Sequence, residues 1–322
     1  MTDNFIYAVA RVRSHELSLL NESVMAQLIS APGEEDCLRI LNEKGWGAQG
    51  TSGEDMFAAE TKKTWDFIRE LVPEDQMKIF DVFRLPDDYH NLKAAIKESC
   101  IGGTHPGIFV SGGTIPAGKL EEALASSDYE SLPEDLQAVA QQAKELLLTT
   151  RDGQLCDITV DRAALEAIRK AGEATGEKLL RDYGELVCAT GDIKIAIRAA
   201  RTGKDRAFLD KALAPCSSLD TAALAEAASA GNDQILAYLE RTDYADAVPE
   251  LKKSLASFER WCDDRMIERI RPEIHNPFGI GPLAAYILAR ESEIKTVRII
   301  LAAKRNGLPE AMLRERVRET YV

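Results

Sequence analysis

Residues 281–307, GPLAAYILARESEIKTVRIILAAKRNG, carry the fullest helix signal in the chain. Pro282 suits a first helical turn, where its missing N–H costs nothing. Leu283, Tyr286, Ile287, Ile294, Val297 and Leu301 recur at steps of three, four and seven, which lays one apolar face along a helix. Asn306-Gly307 supplies a left-handed stop. Leu308-Pro309 then opens a second helix, expected from Pro309 to about Thr320, with Glu310 early and Arg314, Arg316 and Arg318 late to match the helix dipole. The pair reads as a helical hairpin. Arg290, Glu291, Glu293, Lys295 and Arg298 interrupt the apolar run and would be expensive at a bilayer centre, so the segment reads as a soluble helix.

Two earlier stretches repeat this grammar. Asn91-Leu92-Lys93-Ala94-Ala95-Ile96 aligns with Asp192-Ile193-Lys194-Ile195-Ala196-Ile197 and with Thr296-Val297-Arg298-Ile299-Ile300-Leu301. The columns read polar, apolar, basic, then three small or apolar residues. Gly102, Gly203 and Gly307 stand at one common distance after the first column, so the stop is in register too. The spacings are 101 and 104 residues (192 − 91 and 296 − 192). Chance similarity among Ala-rich helices is the rival reading, and the matched glycines favour true copies. Repeats this long exceed a solenoid period and predict three tandem helical units, 1–110, 111–214 and 215–322.

The remaining segments fill these units. Two helices are expected within 13–44 around Pro32-Gly33, with others over 54–71, 74–83, 117–127, 133–148 and 161–181. The last unit gains 205–213, 219–229, 231–240 and 249–270. Gly45–Gly53, Gly102–Gly118 and Glu273–Gly281 are loops, the second being the best boundary and a flexible linker by composition. Composition agrees with an all-α protein: 322 residues, 45% hydrophobic and 6% aromatic, with few alternating β-branched runs.

Charge excludes several function classes. With 40 Lys+Arg against 53 Asp+Glu the net charge is −13, opposite to what binding a phosphate backbone requires, and direct docking on anionic lipid is disfavoured for the same reason. Arg11, Arg13, His15 and Glu16 interrupt the N-terminal apolar stretch, so no export signal is expected. Cys37, Cys100, Cys156, Cys188, Cys216 and Cys262 show no CxxC spacing and read as small buried apolar residues of a reducing compartment.

Motifs for chemistry are sparse. Asp87-Asp88 with Asn91 resembles part of an acidic metal–diphosphate box, although adjacent acids after Pro86 also make an ordinary solvated first turn. Gly102-Gly103-Thr104 and Gly112-Gly113-Thr114 lack the Gly-Lys-Ser/Thr ending of a phosphate loop. His15, His90, His105 and His275 are not at ligand spacing, so no metal, cofactor or catalytic residue is expected. The repeated basic column, Lys93, Lys194 and Arg298, is the most informative polar feature: either a cationic ring on a shared inner wall or three separate ion pairs.

The order of these motifs resembles a known family. Tyr7-Ala8-Val9-Ala10-Arg11-Val12-Arg13 with Glu16 and Leu19-Leu20, then Asp88-Tyr89-His90-Asn91-Leu92-Lys93, then Ala285-Tyr286-Ile287-Leu288-Ala289-Arg290-Glu291 with Gly307-Leu308-Pro309, are similar to the C subunit of V/A-type ATPases, whose eukaryotic form is called the d subunit. The resemblance covers essentially the whole chain. It implies a non-catalytic, all-helical funnel of three pseudo-threefold-related domains. This funnel would sit on the cytoplasmic face of the membrane rotor ring, bind the ring through protein rather than lipid, and receive the central-stalk subunits. Such a socket would couple ATP hydrolysis or synthesis on other subunits to proton or sodium ion transport, and would be a monomer when isolated. Under it, Lys93, Lys194 and Arg298 are candidates for the inner wall, and Arg11 and Arg13 for inter-helix or stalk contacts. The alternatives are a helical metal–diphosphate enzyme or a cytosolic helical scaffold.

Overall fold

The structure, a computed structural model, describes residues 5–47, 53–102 and 107–322. Gly103, Thr104 and His105 lie outside the described residues, as does the middle of the Gly45–Gly53 loop. The chain begins with α1 (Ile6–Glu16), α2 (Glu22–Ser30), α3 (Glu34–Glu43) and α4 (Glu54–Leu71), followed by a 3-10 stretch, Glu74–Phe83. It continues through α5 (Leu85–Ile101), α6 (Ala117–Ser126), α7 (Glu134–Thr150), α8 (Gly153–Ala174), α9 (Lys178–Arg201), α10 (Arg206–Ala212), α11 (Thr221–Ala230) and α12 (Asn232–Leu239). It closes with α13 (Val248–Lys253), α14 (Leu255–Ile270), α15 (Gly281–Arg305) and α16 (Glu310–Arg314). No strand occurs among the described residues, so the all-α expectation is borne out.

Several boundaries differ from the sequence expectation, each for a local reason. Residues 13–44 hold the end of α1 and two further helices, because Asn21 caps α2 by accepting the Val24 N–H at 3.1 Å. Helix α8 starts well before residue 161, capped by Asp152, and ends before Gly176, whose φ of +71° turns the chain into α9. The 249–270 stretch is broken at Ser254, which caps α14 by accepting the Ser257 N–H at 3.0 Å. Helix α16 stops at Arg314 rather than near Thr320. The following segment is held instead by α14: Arg318 pairs with Asp263 at 2.8 Å, and the Glu319 N–H donates to Asp264 Oδ1 at 2.8 Å.

The chain forms two compact units, Met1–Lys78 with Pro249–Val322, and Ile79–Val248. In the first, Leu28, Leu41, Met56, Val297 and Ile300 of α2, α3, α4 and α15 form a fully buried core. In the second, α5 packs on α6, α7 and α8 through Leu92, Ile96, Leu120, Leu124 and Ala140. Helices α8 and α9 form an antiparallel hairpin with very close backbones. A Cβ on Gly172 would overlap the Leu180 carbonyl, and one on Gly184 would stand 2.9 Å from the Ile168 carbonyl oxygen.

The aligned columns take similar local settings. Asn91, Asp192 and Thr296 are all buried, and Leu92, Ile193 and Val297 are completely so. Gly102, Gly203 and Gly307 all have positive φ, which a glycine adopts without Cβ strain. Within the second unit, a later segment lies back along each long helix. Asn91 exchanges hydrogen bonds with Val110 (2.9 Å each way), and Asp192 Oδ1 accepts the Ala214 N–H at 2.9 Å. Within the first unit, Ser292 and Thr296 share a small cavity with Thr320 and Tyr321. The segment from Gly107 to Pro116, expected as a flexible linker, is therefore bound to α5. Arg84 Nε donates to the Gly112 carbonyl at 3.1 Å, and a Cβ on Gly112 would overlap the Asp87 carboxylate.

Asp264, beneath the C-terminal segment, gives the first unit a pH-dependent weakness. Burial pushes its carboxyl up to about 6; the Glu319 N–H bond opposes the rise, the Glu319 charge adds to it, and Arg260 and Arg318 oppose it. A raised carboxyl contributes stability that is complete below its ordinary value and lost as pH rises through about 6. Asp264→Asn should therefore remove about 1–2 kcal/mol of stability loss between pH 4 and 6, solvent screening allowed for. Urea midpoints of both proteins across that window check this, and parallel curves would refute it.

Candidate functional site

On the first unit, α1 presents an aromatic and cationic face. Tyr7 is 65% exposed and Ile6 50%, while Ala8, Val9 and Val12 point into the core. Arg11 donates to the Tyr7 hydroxyl at 2.9 Å, and its guanidinium lies 5.8 Å from the centre of the Phe67 ring. The His15 ring stacks on Phe67 at 3.7 Å, and Tyr286 meets Phe67 edge-on at 5.5 Å. Burial, then the Arg11 charge, hold the His15 pKa below its ordinary value, which favours the neutral ring. Exposed tyrosine and arginine are the residue types that protein interfaces favour. Tyr7 and His15, not among the sequence candidates, share a helix face with Arg11 at steps of four, a spacing that is legible in the sequence.

Arg13 points the other way. It pairs with Glu16 at 2.7 Å and donates to the carbonyls of Glu273 (2.5 Å) and Asn276 (2.8 Å), tying α1 to the segment before α15. Behind it lies a buried charge network. Arg290 donates to Glu60 Oε2 at 2.7 Å and to Glu293, and sits 5.1 Å from the centre of the Trp46 ring. Glu60 also accepts from Lys63 (2.6 Å) and the Gly47 N–H (3.1 Å), and Glu293 accepts the Leu20 N–H. The network joins α1's exit, α4 and α15. Burial pushes the Glu293 carboxyl up, and Arg290 opposes that rise.

The basic column is distributed between the units. Lys93, half-buried on α5, pairs with Asp161 of α8 at 2.6 Å. It also borders a groove of about 300 Å³ lined by His90, Ala94, Lys97 and Ile101. Arg298, half-exposed on α15, pairs with Glu54 at 2.9 Å and stacks over Phe57 at 4.7 Å. Lys194, half-buried on α9, makes no ion pair among the described residues. Two of the three cations thus have an acid of their own unit.

Asp88, the second acid of the pair on α5, is structural. Asp88 Oδ2 accepts the Thr114 hydroxyl at 2.7 Å and Oδ1 the Ile115 N–H at 2.9 Å, which leaves neither oxygen of Asp88 aimed at a ligand. His90 Nε2 bonds the Ile108 carbonyl at 2.9 Å.

Of the six free cysteines, Cys37, Cys156 and Cys188 are buried and the rest half-buried. The fold does assemble one ligand-type cluster that the sequence spacing conceals. Cys188, Asp192 and Cys216 place their sulfur and carboxylate atoms within 4.8 Å of one another. Burial raises the Asp192 carboxyl to about 8, and contact with Cys216 and burial push the Cys188 thiol up.

Known proteins resemble this chain along nearly its whole length. A family model described as ATP synthase (C/AC39) subunit matches residues 8–316. The C subunit of the V-type sodium ATPase of Enterococcus hirae is 23% identical, over 96% of this chain and 97% of that protein. The C subunit of the V-type ATP synthase of Thermus thermophilus is 25% identical, over 98% and 99%. The C subunit of the A-type ATP synthase of Methanocaldococcus jannaschii is 23% identical, over 96% and 85%.

Proposed function

The chain belongs to the ATP synthase (C/AC39) subunit family, and from that membership we propose that it is a non-catalytic socket between a central stalk and a membrane rotor ring. In this role it transmits rotation between subunits that handle ATP and a ring that carries protons or sodium ions. The reading rests on one observation: the family match and the relatives' alignments run nearly end to end, so the resemblance is to a whole subunit rather than to a shared fragment. Among the described residues no helix is long and apolar enough to cross a membrane, which suits a peripheral position on the cytoplasmic side of the ring. The net charge of −13 favours attachment through ring protein over attachment to anionic lipid.

The three repeated units, 1–110, 111–214 and 215–322, belong to this proposal as pseudo-threefold copies forming a funnel. The matched settings of Asn91, Asp192 and Thr296 support their common origin. Arg11 with Tyr7 is the proposed stalk contact. Lys194, and the half-exposed edges of Lys93 and Arg298, are the proposed inner-wall cations. A metal–diphosphate enzyme loses its motif, since Asp88 is bonded to Thr114 and Ile115.

Reconstitution tests the proposal. The purified chain, a monomer alone, should bind isolated central-stalk subunits and detergent-solubilised rotor ring, and bridge the two. Arg11→Glu with Tyr7→Ser should weaken stalk binding by about tenfold or more, the scale of an interface hot spot. Failure to bind either partner would overturn the socket reading. Recovery of the native protein away from the membrane fraction would favour a cytosolic scaffold instead.

A further inference from the structure

We propose that Cys188, Asp192 and Cys216 form a binding site for one zinc ion, which pins the 213–219 segment to α9. Two of the aligned copies lie within the second unit, and they differ at this place. In the first copy, Asn91 meets the backbone of Val110 with both its donor and its acceptor at 2.9 Å, so its amide is fully used. In the second copy, Asp192 occupies the same column and accepts the Ala214 N–H through Oδ1. Its other oxygen, Oδ2, is buried with no hydrogen-bond partner, in a residue that is 0% exposed. An amide would serve the backbone at this place, as Asn91 does. A carboxylate serves it less well and leaves a lone-pair face unmatched, which is costly in the interior.

That unmatched oxygen has soft donors as neighbours. Cys188 lies one helical turn before Asp192 on α9, so both side chains emerge on the same face. Cys216 arrives from the segment between α10 and α11. In the first copy the corresponding approach is between Asp87 and Gly112, where the glycine leaves no room for a ligand atom. The second copy places a thiol on each side. The two thiols contact each other, and their contacts with backbone carbonyls are long, at 3.9 Å: Cys188 with Ala214 and Pro215, and Cys216 with Leu219.

The donor set fits zinc. Two sulfurs and one carboxylate oxygen suit a borderline-soft cation, whereas magnesium and calcium prefer oxygen alone. With zinc–sulfur bonds of about 2.3 Å, tetrahedral geometry needs sulfurs about 3.8 Å apart. The observed grouping within 4.8 Å reaches that spacing through side-chain rotation or small shifts. Cys216 is half-buried, so a water can complete the fourth position from the solvent side. On binding, the two thiol protons and the proton held by the raised Asp192 carboxyl pass to solvent, and the metal takes their place. The resulting complex carries one net negative charge, toward which Arg162 of α8 is the favourable charge and Glu166 and Glu185 are the unfavourable ones.

The test uses the full chain, reduced, stripped with chelator and titrated with zinc alone. One zinc per chain should be retained, and cobalt in its place should give an intense sulfur-to-cobalt charge-transfer band. Zinc should also raise the melting temperature. Asp192→Asn is the clean variant, because Asn91 shows that an amide is accommodated in this setting. It and Cys216→Ser should each weaken zinc binding more than about 100-fold, beyond the loss usual for outer-shell partners. The proposal is overturned if the reduced wild-type chain retains no zinc or if both variants bind it as tightly as wild type. A Cys188–Cys216 disulfide in air-handled protein, with no zinc taken up by the reduced form, would also overturn it.

Discussion

Arg290→Met should destabilise the first unit by about 3–5 kcal/mol, the usual cost of removing one partner from a buried ion network. Glu60 and Glu293 are 3% and 5% exposed, and Arg290 is the cation donating to both. Without it two carboxylates share a dry site, with Lys63 reaching only the outer oxygen of Glu60. The penalty is uncompensated charge rather than lost packing, since methionine fills much of the arginine's volume beside Trp46. Combining Arg290→Met with Glu60→Gln and Glu293→Gln should therefore restore most of the loss. The defect should also shrink on acidification: Glu293 is already pushed up by burial, and losing Arg290 removes the largest influence opposing that rise and leaves the Leu20 N–H bond. Thermal melts should show a drop of about 10 °C for the single variant at neutral pH. An equally unstable triple variant would refute this account.

The second large effect is expected in the α8–α9 hairpin. Gly172→Ala and Gly184→Ala each set a methyl group against rigid backbone of the opposite helix, at Leu180 and at Ile168–Arg169. Helix propensity alone would favour alanine by about 1 kcal/mol. Overpacking should reverse the sign and leave each variant about 1–3 kcal/mol less stable. The double variant should lose more than either, though not additively, because both push the same pair of helices apart. Gly153→Ala, in the first turn of α8 with nothing within 4 Å of its Cβ, is the matched control and should be neutral or slightly stabilising. Hydrogen exchange across α8 and α9 reads the difference. If Gly172→Ala stabilises the protein, the close approach does not govern the hairpin.

Helix α15 is fully legible in the sequence because its caps and periodicity are local. Helix α16 is shorter than its sequence suggests: Arg314, Arg316 and Arg318 look like dipole partners, but Arg318 answers Asp263, 55 residues earlier. Arg290 and Glu293 look like charges that keep a helix in water, whereas both are buried. They pair with each other at a readable i, i+3 step, but the second acid on Arg290 lies 230 residues away, and the amide that Glu293 accepts lies 273 residues away. No local spacing encodes such distant partners. Cys188 and Asp192 are a readable helical pair, but Cys216 joins them only through the return of a loop. Arg11 stands out in the sequence for its charge, and what makes it a surface feature is Phe67, contributed by another helix.

The first unit's two stretches, Met1–Lys78 and Pro249–Val322, are separated by the entire second unit. On a ribosome, α1 to α4 emerge early yet lack α15, the helix that fills their core and supplies Arg290. Residues 79–248 have their partners in one continuous run and can collapse as soon as they appear. The segment made first is thus completed last, and its exposed apolar faces need shielding for the whole interval of synthesis.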